Sequence, residues 1–550
     1  MKRLLTFALL INLIPSPGMS QSCLPDGIVF TTQSQIDSFQ INFPNCTEIE
    51  GDLQIEGPVL GGSNITNLNA LYVLTSIEGD LVISRTDALT SLTGLDNITS
   101  IGGDLKIELI EHVQTLTGLH NISSIGGGVS LWNNLELQSL QEISALNSIG
   151  TFLRVQDNDM LTNLNGFENL TIIAGDLLIS SNENLLSLEG LNNISSVGGR
   201  LEIWVNPNLV NLNALENITT IGDNFKVYNS QSIQNLEGLN NLTSIQGDFE
   251  VFSNPELINF TGLENVALIG GAIYITKNTN LSSLSGLENL SSIGDYLWIT
   301  ENPSLINFEG FEKITSIPTY LYVYENNSLL NVSGLENITS IGGYVSFFNN
   351  LNLLNMDGLT SLQTIGSKLK ISGNTALASV TGFGNLISIG DYLEISANAN
   401  LASLSGLNNI ASNSITDLKI FENNFLSECD VKSICDYLSS PGGDIEIHDN
   451  ATGCNSQDEV EKACEDIGIE ETALNRSVRI YPNPANAEVY FSFPAGERPL
   501  RILIYNQIGQ LIIQVNQEVE SIDVSVLHPG IYVIEIDLNG VFIHKRVVIR

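Results

Sequence analysis

The chain is short of cations. Its 550 residues hold 21 Lys and Arg against 61 Asp and Glu, a formal net charge of −40. Phosphate backbones are bound through clustered cations, so nucleic acid is excluded as a partner. The shortage is local: residues 4–474 hold 12 cations and 54 acids, whereas residues 475–550 hold 7 of each. An acidic surface of that density keeps a long molecule soluble and unassociated. Histidine is also scarce. His112, His120, His448, His528 and His544 are the five, and none lies in a metal spacing such as HExxH. No GxSxG elbow, Walker loop or dinucleotide-binding glycine fingerprint occurs in a suitable context, so neither a cofactor nor a metal is expected. Long apolar runs are missing beyond the first 20 residues, and none approaches the ~20 residues of a membrane helix. With 43% apolar and 15% charged residues the chain still has ample material for a folded core.

Lys2 and Arg3, the apolar run Leu4–Ile14 and the small-residue stretch Gly18-Met19-Ser20 read as a signal peptide over residues 1–20. Cys23 lacks the preceding context of a lipid-acylation site. The expected destination is an oxidising, extracytoplasmic compartment, and six cysteines suit it. They stand only at the two ends of the middle region: Cys23 and Cys46, then Cys429, Cys435, Cys454 and Cys464. Cys23 with Cys46 is the one pairing local to the first end. The last four allow three pairings, and the sequence does not choose among them. A zinc site is the alternative, but no CxxC or nearby His pair supports it.

What the chain has in abundance is one phrase. Ile77, Ile101, Ile125, Ile149, Ile173, Val197, Ile221, Ile245, Ile269, Ile293, Ile317, Ile341, Ile365 and Ile389 fall at a constant spacing of 24. Ile49 and Ile415 extend the series across small insertions. A strict period of this length predicts a solenoid in which each unit is one coil stacked on the last. In the type unit Leu281–Ser304, apolar residues fill slots 1, 4, 7, 10, 13, 17 and 19. The first five are three apart, as in tight corners or short 3₁₀ segments. Slots 17 and 19 alternate with outward residues, the strand period. Slot 22 is Asn in most coils, from Asn134 to Asn398, with Asn424 closing the series. An inward Asn at a corner can donate to one coil and accept from the next. Stacking at about 4.8 Å per coil predicts roughly sixteen coils in a rod on the order of 75 Å long. Its ends need caps, which is where the cysteines lie.

The phrase L-x-I-x-x-N-x-x-L-x-x-L and the stretch Phe43–Gly57 resemble the receptor L domain, a right-handed, leucine-rich β-helical module. The resemblance covers Cys23–Cys464 and departs from usual leucine-rich spacing by one residue after the Asn. It implies a mainly β, right-handed parallel β-helix-like solenoid of 24-residue leucine-rich coils. The expected organisation is an N-terminal cap with a first irregular coil over 21–64, regular coils over 65–424 and a Cys-rich cap over 425–464. A polar linker over 465–477 follows.

Residues 478–550 change grammar to short alternating runs split by Pro, Asn and Gly, so a small antiparallel β-sandwich is expected. These runs resemble the C-terminal sorting domain of the type IX secretion system. The matching positions are Tyr481-Pro482-Asn483-Pro484, Tyr505-Asn506 with Gly509, Pro529-Gly530-Ile531-Tyr532 and Lys545-Arg546-Val547-Val548. The resemblance implies the type IX secretion machinery as a partner, and export to the outer surface of a Gram-negative bacterium or beyond. Triplets such as Asn337-Ile338-Thr339 then read as by-products of the repeat rather than glycan acceptors.

Candidate functional residues are sought on the outward slots 16, 18 and 20. These hold Trp132, Trp204, Tyr228, Phe252, Tyr274, Tyr296, Trp298, Tyr320, Tyr322, Tyr324, Tyr344, Phe348 and Tyr392. All three Trp and eight of the fourteen Tyr of the chain are among them. Stacked coils line them into a stripe, and contiguous exposed aromatics mark interaction surfaces. The competing reading is that they only stabilise strands through cross-strand pairs. As a binding face the stripe suits a glycan or a protein ligand. Glu202, Lys226 and Glu250 at slot 18 of successive coils read as an alternating-charge ladder. As convergent carboxylates they would instead point to a carbohydrate-active β-helix enzyme. Paired Ser/Thr at slots 11 and 12 read as turn hydrogen bonds rather than a water-ordering face. The reading adopted is a secreted or surface-displayed, non-enzymatic binding or adhesion protein. The alternatives are the lyase or hydrolase just named, or a passive surface-layer spacer.

Overall fold

A computed structural model describes residues 22–467, 478–493, 498–506, 509–516, 519–538 and 541–550. The expected signal peptide and most of the expected linker lie outside the described residues. The described chain forms two units, one ending at Glu461 and one over Lys462–Arg550.

The first unit is a parallel β-solenoid. Its principal sheet has 18 strands, from Ile28–Phe30 to Ile445–His448, paired in parallel register. Leu297 lies beside Leu321 and Ile299 beside Val323. This residue-for-residue register follows from the fixed period: a one-residue slip would turn every buried side chain outward. The coil count exceeds the expected sixteen because both caps contribute a strand to the sheet. The apolar slots form one continuous core. Leu281, Leu284, Leu287, Leu290, Leu297 and Ile299 are all fully buried. The three-residue spacing forms 3₁₀ turns in six coils, among them Asn213–Leu215 and Asp357–Leu359. Elsewhere a glycine turns the corner. Gly334 has φ of +104°, and a Cβ there would lie 2.0 Å from the Phe308 carbonyl oxygen.

A second sheet of two-residue strands stands just ahead of the principal strands in most coils, as Ser292–Ile293 does three residues before Leu297–Thr300. It runs unbroken from Ser22–Cys23 to Ser292–Ile293 and resumes at Ser316–Ile317. The break has a single-residue cause. In neighbouring coils the residue after the slot-13 Ile donates to the coil below, as Gly342 N–H does to Ile317 O at 2.9 Å. Here that residue is Pro318, which has no N–H.

The slot-22 Asn ladder is continuous over long stretches. Asn302 Nδ2 donates to Ile275 O at 3.0 Å and to Asn326 Oδ1 at 3.3 Å, while Asn302 Oδ1 accepts from Asn278 N–H at 3.1 Å. The member in the last irregular coil is Asn423 rather than the expected Asn424, and the ladder ends one strand further on at Asn450, whose Oδ1 accepts from Asn423 N–H at 3.0 Å. Asn423 is buried and accepts from Asn398 N–H at 3.0 Å, while Asn424 is exposed. The insertion before Ile415 shifts the last coil by one residue. Immediately before each ladder Asn, the slot-21 residue adopts the left-handed conformation whatever its type, including Val205 at φ of +52°. That turn swings the following side chain inward.

A second Asn row, at slot 9, ties the coils from outside. Asn337 Nδ2 donates to Glu312 O at 2.7 Å, and Thr339 Oγ1 donates to Thr315 O at 3.2 Å. Both hydrogen-bonding members of the Asn337-Ile338-Thr339 triplet thus serve stacking. The slot-11 hydroxyls bond from coil to coil, where the sequence suggested bonds within a turn.

At the N-terminal end, Cys23 is bonded to Cys46, and Ile36 and Phe39 from the helices Gln33–Asp37 and Phe39–Asn42 cover the bare core. At the other end Cys429 is bonded to Cys454, and the helix Lys432–Ser439 buries Ile434 and Tyr437. Cys435 and Cys464 are disulfide-bonded as well, and no cysteine is free. A helix over Gln457–Ile467 takes in the first residues of the stretch read as linker.

The second unit holds two antiparallel sheets of three and four strands. Val489, Ile502, Ile504, Ile534, Ile536 and Val547 meet in its core.

Candidate functional site

The outward slots of the principal sheet stand side by side at strand spacing, and all thirteen aromatics named from the sequence lie there, each partly exposed. Eleven form stacks along the solenoid. At slot 20, Trp204, Tyr228 and Phe252 stack with centroids 5.2 and 4.5 Å apart. At slot 18, Tyr274, Trp298 and Tyr322 follow at 6.0 and 4.3 Å. At slot 16, Tyr296, Tyr320 and Tyr344 stack at 4.5 and 4.6 Å with 6° between planes. Tyr324 and Phe348 stack at slot 20, 5.2 Å apart. Edge-to-face contacts join the rows, including Phe252 on Tyr274 and Trp298 on Tyr320. The cluster therefore crosses the sheet diagonally, from slot 20 near Trp204 to slot 16 near Tyr344.

Trp132 and Tyr392 stand apart from these stacks. Trp132 donates its indole N–H to Asp157 at 2.9 Å beneath the Arg154 guanidinium. Tyr392 joins the main stack through Lys368, whose ammonium lies 4.9 Å from the Tyr344 ring centre and 5.4 Å from that of Tyr392. Sequence reasoning passed over Lys368; its slot in the Tyr row was the available signal.

Ring orientation decides what the face can offer. Tyr228, Trp298 and Tyr320 each have a ring stacked on both sides, so their flat faces are occupied. They present edges and, for the tyrosines, hydroxyls. Burial raises the phenol pKa of Tyr296, Tyr320, Tyr322 and Tyr344, so these hydroxyls stay protonated. Tyr324 is pushed up to about 12 by its hydrogen bond to the Glu325 carboxylate.

The charged slots pair with one another. Lys226 meets Glu250 at 3.2 Å, and Arg200 meets Glu202 at 3.2 Å and Asp176 at 2.6 Å. Burial works to raise the Asp176 carboxyl, but hydrogen bonds from Arg200 outweigh it and hold the pKa below the ordinary value. Lys370 meets Glu394 at 3.0 Å, and Ser396 Oγ donates to the same buried carboxylate at 2.9 Å. Slot 16 also carries a hydrogen-bonding row in the N-terminal half. Asp80 Oδ1 accepts from Asp104 N–H at 2.8 Å, and Asp248 Oδ1 from Ala272 N–H at 2.8 Å. From Tyr296 to Tyr344 aromatic stacking takes over this row, and the hydrogen bonding resumes where Asp417 Oδ1 accepts from Asp444 N–H at 2.8 Å.

In the second unit the residues read as a sorting signal converge on the last strand. Asn483 Nδ2 donates to Arg546 O at 2.8 Å, and its Oδ1 accepts from Val548 N–H at 2.9 Å. Tyr481 stacks on Tyr490, with Pro482 and Pro484 lining an adjacent groove. Tyr532 Oη donates to His528 O at 3.0 Å in the strand that begins at Gly530, and Lys545 lies in the last strand, Val541–Ile549.

Residues 45–137 and 193–286 match the receptor L domain family, and residues 479–550 match the secretion system C-terminal sorting domain. No curated protein matches the chain. Neither family is catalytic. No described helix is long and apolar enough to cross a membrane. The chain thus joins a solenoid with receptor L domain segments to a C-terminal sorting domain, the arrangement of a secreted or outer-surface protein.

Proposed function

We propose that this protein is a non-enzymatic binding protein of the cell exterior whose ligand is met on the aromatic face of the solenoid. The observation that carries this is the stretch of four consecutive strands from Ile273–Thr276 to Val345–Phe348. Their twelve outward slots hold eight aromatic residues and no charge, in a chain whose net charge is −40. A contiguous, uncharged, partly exposed aromatic surface on so acidic a molecule has the character of a contact surface. The stacked geometry favours a ligand that reads ring edges and phenol hydroxyls. That suits a protein surface better than a sugar lying flat on a ring.

The test compares the wild type with a Tyr296/Trp298/Tyr322/Tyr324→Ala variant on a glycan array and in pull-downs from the native surroundings. Loss of the bound partner in a folded variant supports the reading. Unchanged binding would sink it and leave the stacks a purely structural role. Turnover of a polysaccharide by the purified chain would favour the enzyme instead.

A further inference from the structure

The pattern of charge around the aromatic face names a partner. We infer that the face docks onto the same face of a second copy of this chain, with the two solenoids antiparallel. This rests on the proposal that the stripe is a contact surface, and goes further in specifying what it contacts.

A two-fold axis in the interface, parallel to the strands and midway between Leu297–Thr300 and Leu321–Tyr324, reverses the order of the coils and keeps each slot facing its own kind. The uncharged rows then face uncharged rows, and Tyr296 of one copy lies opposite Tyr320 of the other. The strand before the uncharged stretch carries Asp248 and Glu250 at slots 16 and 18, and the strand after it carries Lys368 and Lys370 at the same slots. The axis places Asp248 opposite Lys368 and Glu250 opposite Lys370. One coil further out, Lys226 falls opposite Glu394. One further again, Arg200 falls opposite Asp417, and Glu202 opposite Lys419. Five successive charged slots therefore meet their opposites, and the symmetry repeats each pair. Beyond that the match ends, since Asp176 would face Asp444. At the corner outside the face Glu301 would meet Glu325, which confines the contact to slots 16–20.

The partner's period matters too. A ladder of rings at strand spacing stays in step over many coils only with a surface of the same spacing, and a second copy has it. The ten rows from Leu201–Trp204 to Leu418–Phe421 span about 43 Å by roughly 17 Å of strand. That is on the order of 700 Å² per copy, close to the ~800 Å² of a standard interface. Elsewhere the strong negative charge opposes association. Here the facing charges cancel.

The experiment is sedimentation equilibrium of the full chain over a concentration series. The wild type is expected to form a dimer. Lys368→Glu with Lys370→Glu makes both flanks acidic, and Asp248→Lys with Glu250→Lys makes both basic. Either double variant is expected to raise the dissociation constant at least about thirtyfold. Mixing the two is expected to restore a dimer containing one of each, as is combining all four changes in one chain. These rescues show that the variants fold. A wild type that stays monomeric, or reversed variants that dimerise like wild type, or a mixture that does not associate, would each overturn the inference. None of these variants alters an aromatic residue. Persisting sensitivity of another ligand to the Tyr296/Trp298/Tyr322/Tyr324→Ala change would therefore leave the binding face standing without the dimer.

Discussion

Ser230 donates its backbone N–H to Asn254 Oδ1 at 3.0 Å, so it occupies an Asn-ladder position without an amide of its own. Its hydroxyl reaches only Tyr228 O, at 3.4 Å. Ser230→Asn supplies an oxygen for Asn206 N–H and an amide aimed at the coil below, and is expected to stabilise the solenoid by about 1 kcal/mol. Asn302→Ala is the converse. It removes donors to Ile275 and Thr300 and strips the acceptor from Asn278 N–H in a fully buried corner, at a cost of about 3 kcal/mol or more. Denaturant midpoints of the two variants check both signs.

Val205 is β-branched and sits at φ of +52°. The left-handed region costs such a residue roughly 1–2 kcal/mol, and Asn or Gly much less. Val205→Asn is expected to raise the thermal midpoint, and Val205→Ile to leave it unchanged. A fall with Asn would show that packing of the Val side chain outweighs the backbone cost.

Tyr320 lies between two parallel rings, and each stacked pair contributes about 0.5–1.5 kcal/mol. Tyr320→Ala is expected to lose about 1–3 kcal/mol, and Tyr320→Phe to keep it. If ligand affinity drops in Tyr320→Phe while stability holds, the hydroxyl row is part of the contact.

The His448 imidazole has its pKa raised by its hydrogen bond to Asp449 and then by that to Glu446. A raised folded-state value means the imidazolium stabilises the fold fully below the ordinary value near 6.5, and the contribution fades as pH rises through the higher folded value. The difference in thermal midpoint between wild type and His448→Asn is expected to be largest near pH 6 and to vanish in mildly alkaline solution. A difference that grows with pH would refute the assignment.

Asn483 bridges the Tyr481–Pro484 loop to the final strand by two hydrogen bonds. Asn483→Ala is expected to leave the solenoid intact and to retain most of the protein inside the cell, measured by fractionation and immunoblotting. Unchanged export would show that the loop is read independently of that strand.

Much of this was legible in the primary structure because a solenoid repeats one local problem. The 24-residue spacing of Ile77 through Ile389 specified parallel strands in register. The positions of Cys23, Cys46 and the last four cysteines marked both caps. The thirteen aromatics could be assigned outward by strand alternation alone. The left-handed turn at slot 21 could not be read, because residues as different as Arg85, Val205 and Glu301 adopt it. The coils on either side impose it, since Arg85 and Leu109 adopt it ahead of Thr86 and Ile110, where no Asn follows. The ladder residue of the last irregular coil fell at Asn423 for a related reason, since an insertion is absorbed wherever the stacked hydrogen bonds allow.

Sequence periodicity, then, determined the coil, its core and which slots face solvent, since hydrophobic spacing and backbone register act within each unit. Only the tertiary structure decided how rings in separate coils orient, that stacking leaves edges rather than faces exposed, and that the Lys368 ammonium lies over both the Tyr344 and Tyr392 rings. It also aligned Asp248 and Glu250 with Lys368 and Lys370 about the middle of the face. These are relations between residues tens of positions apart, set by stacking distance, and no window along the chain contains them.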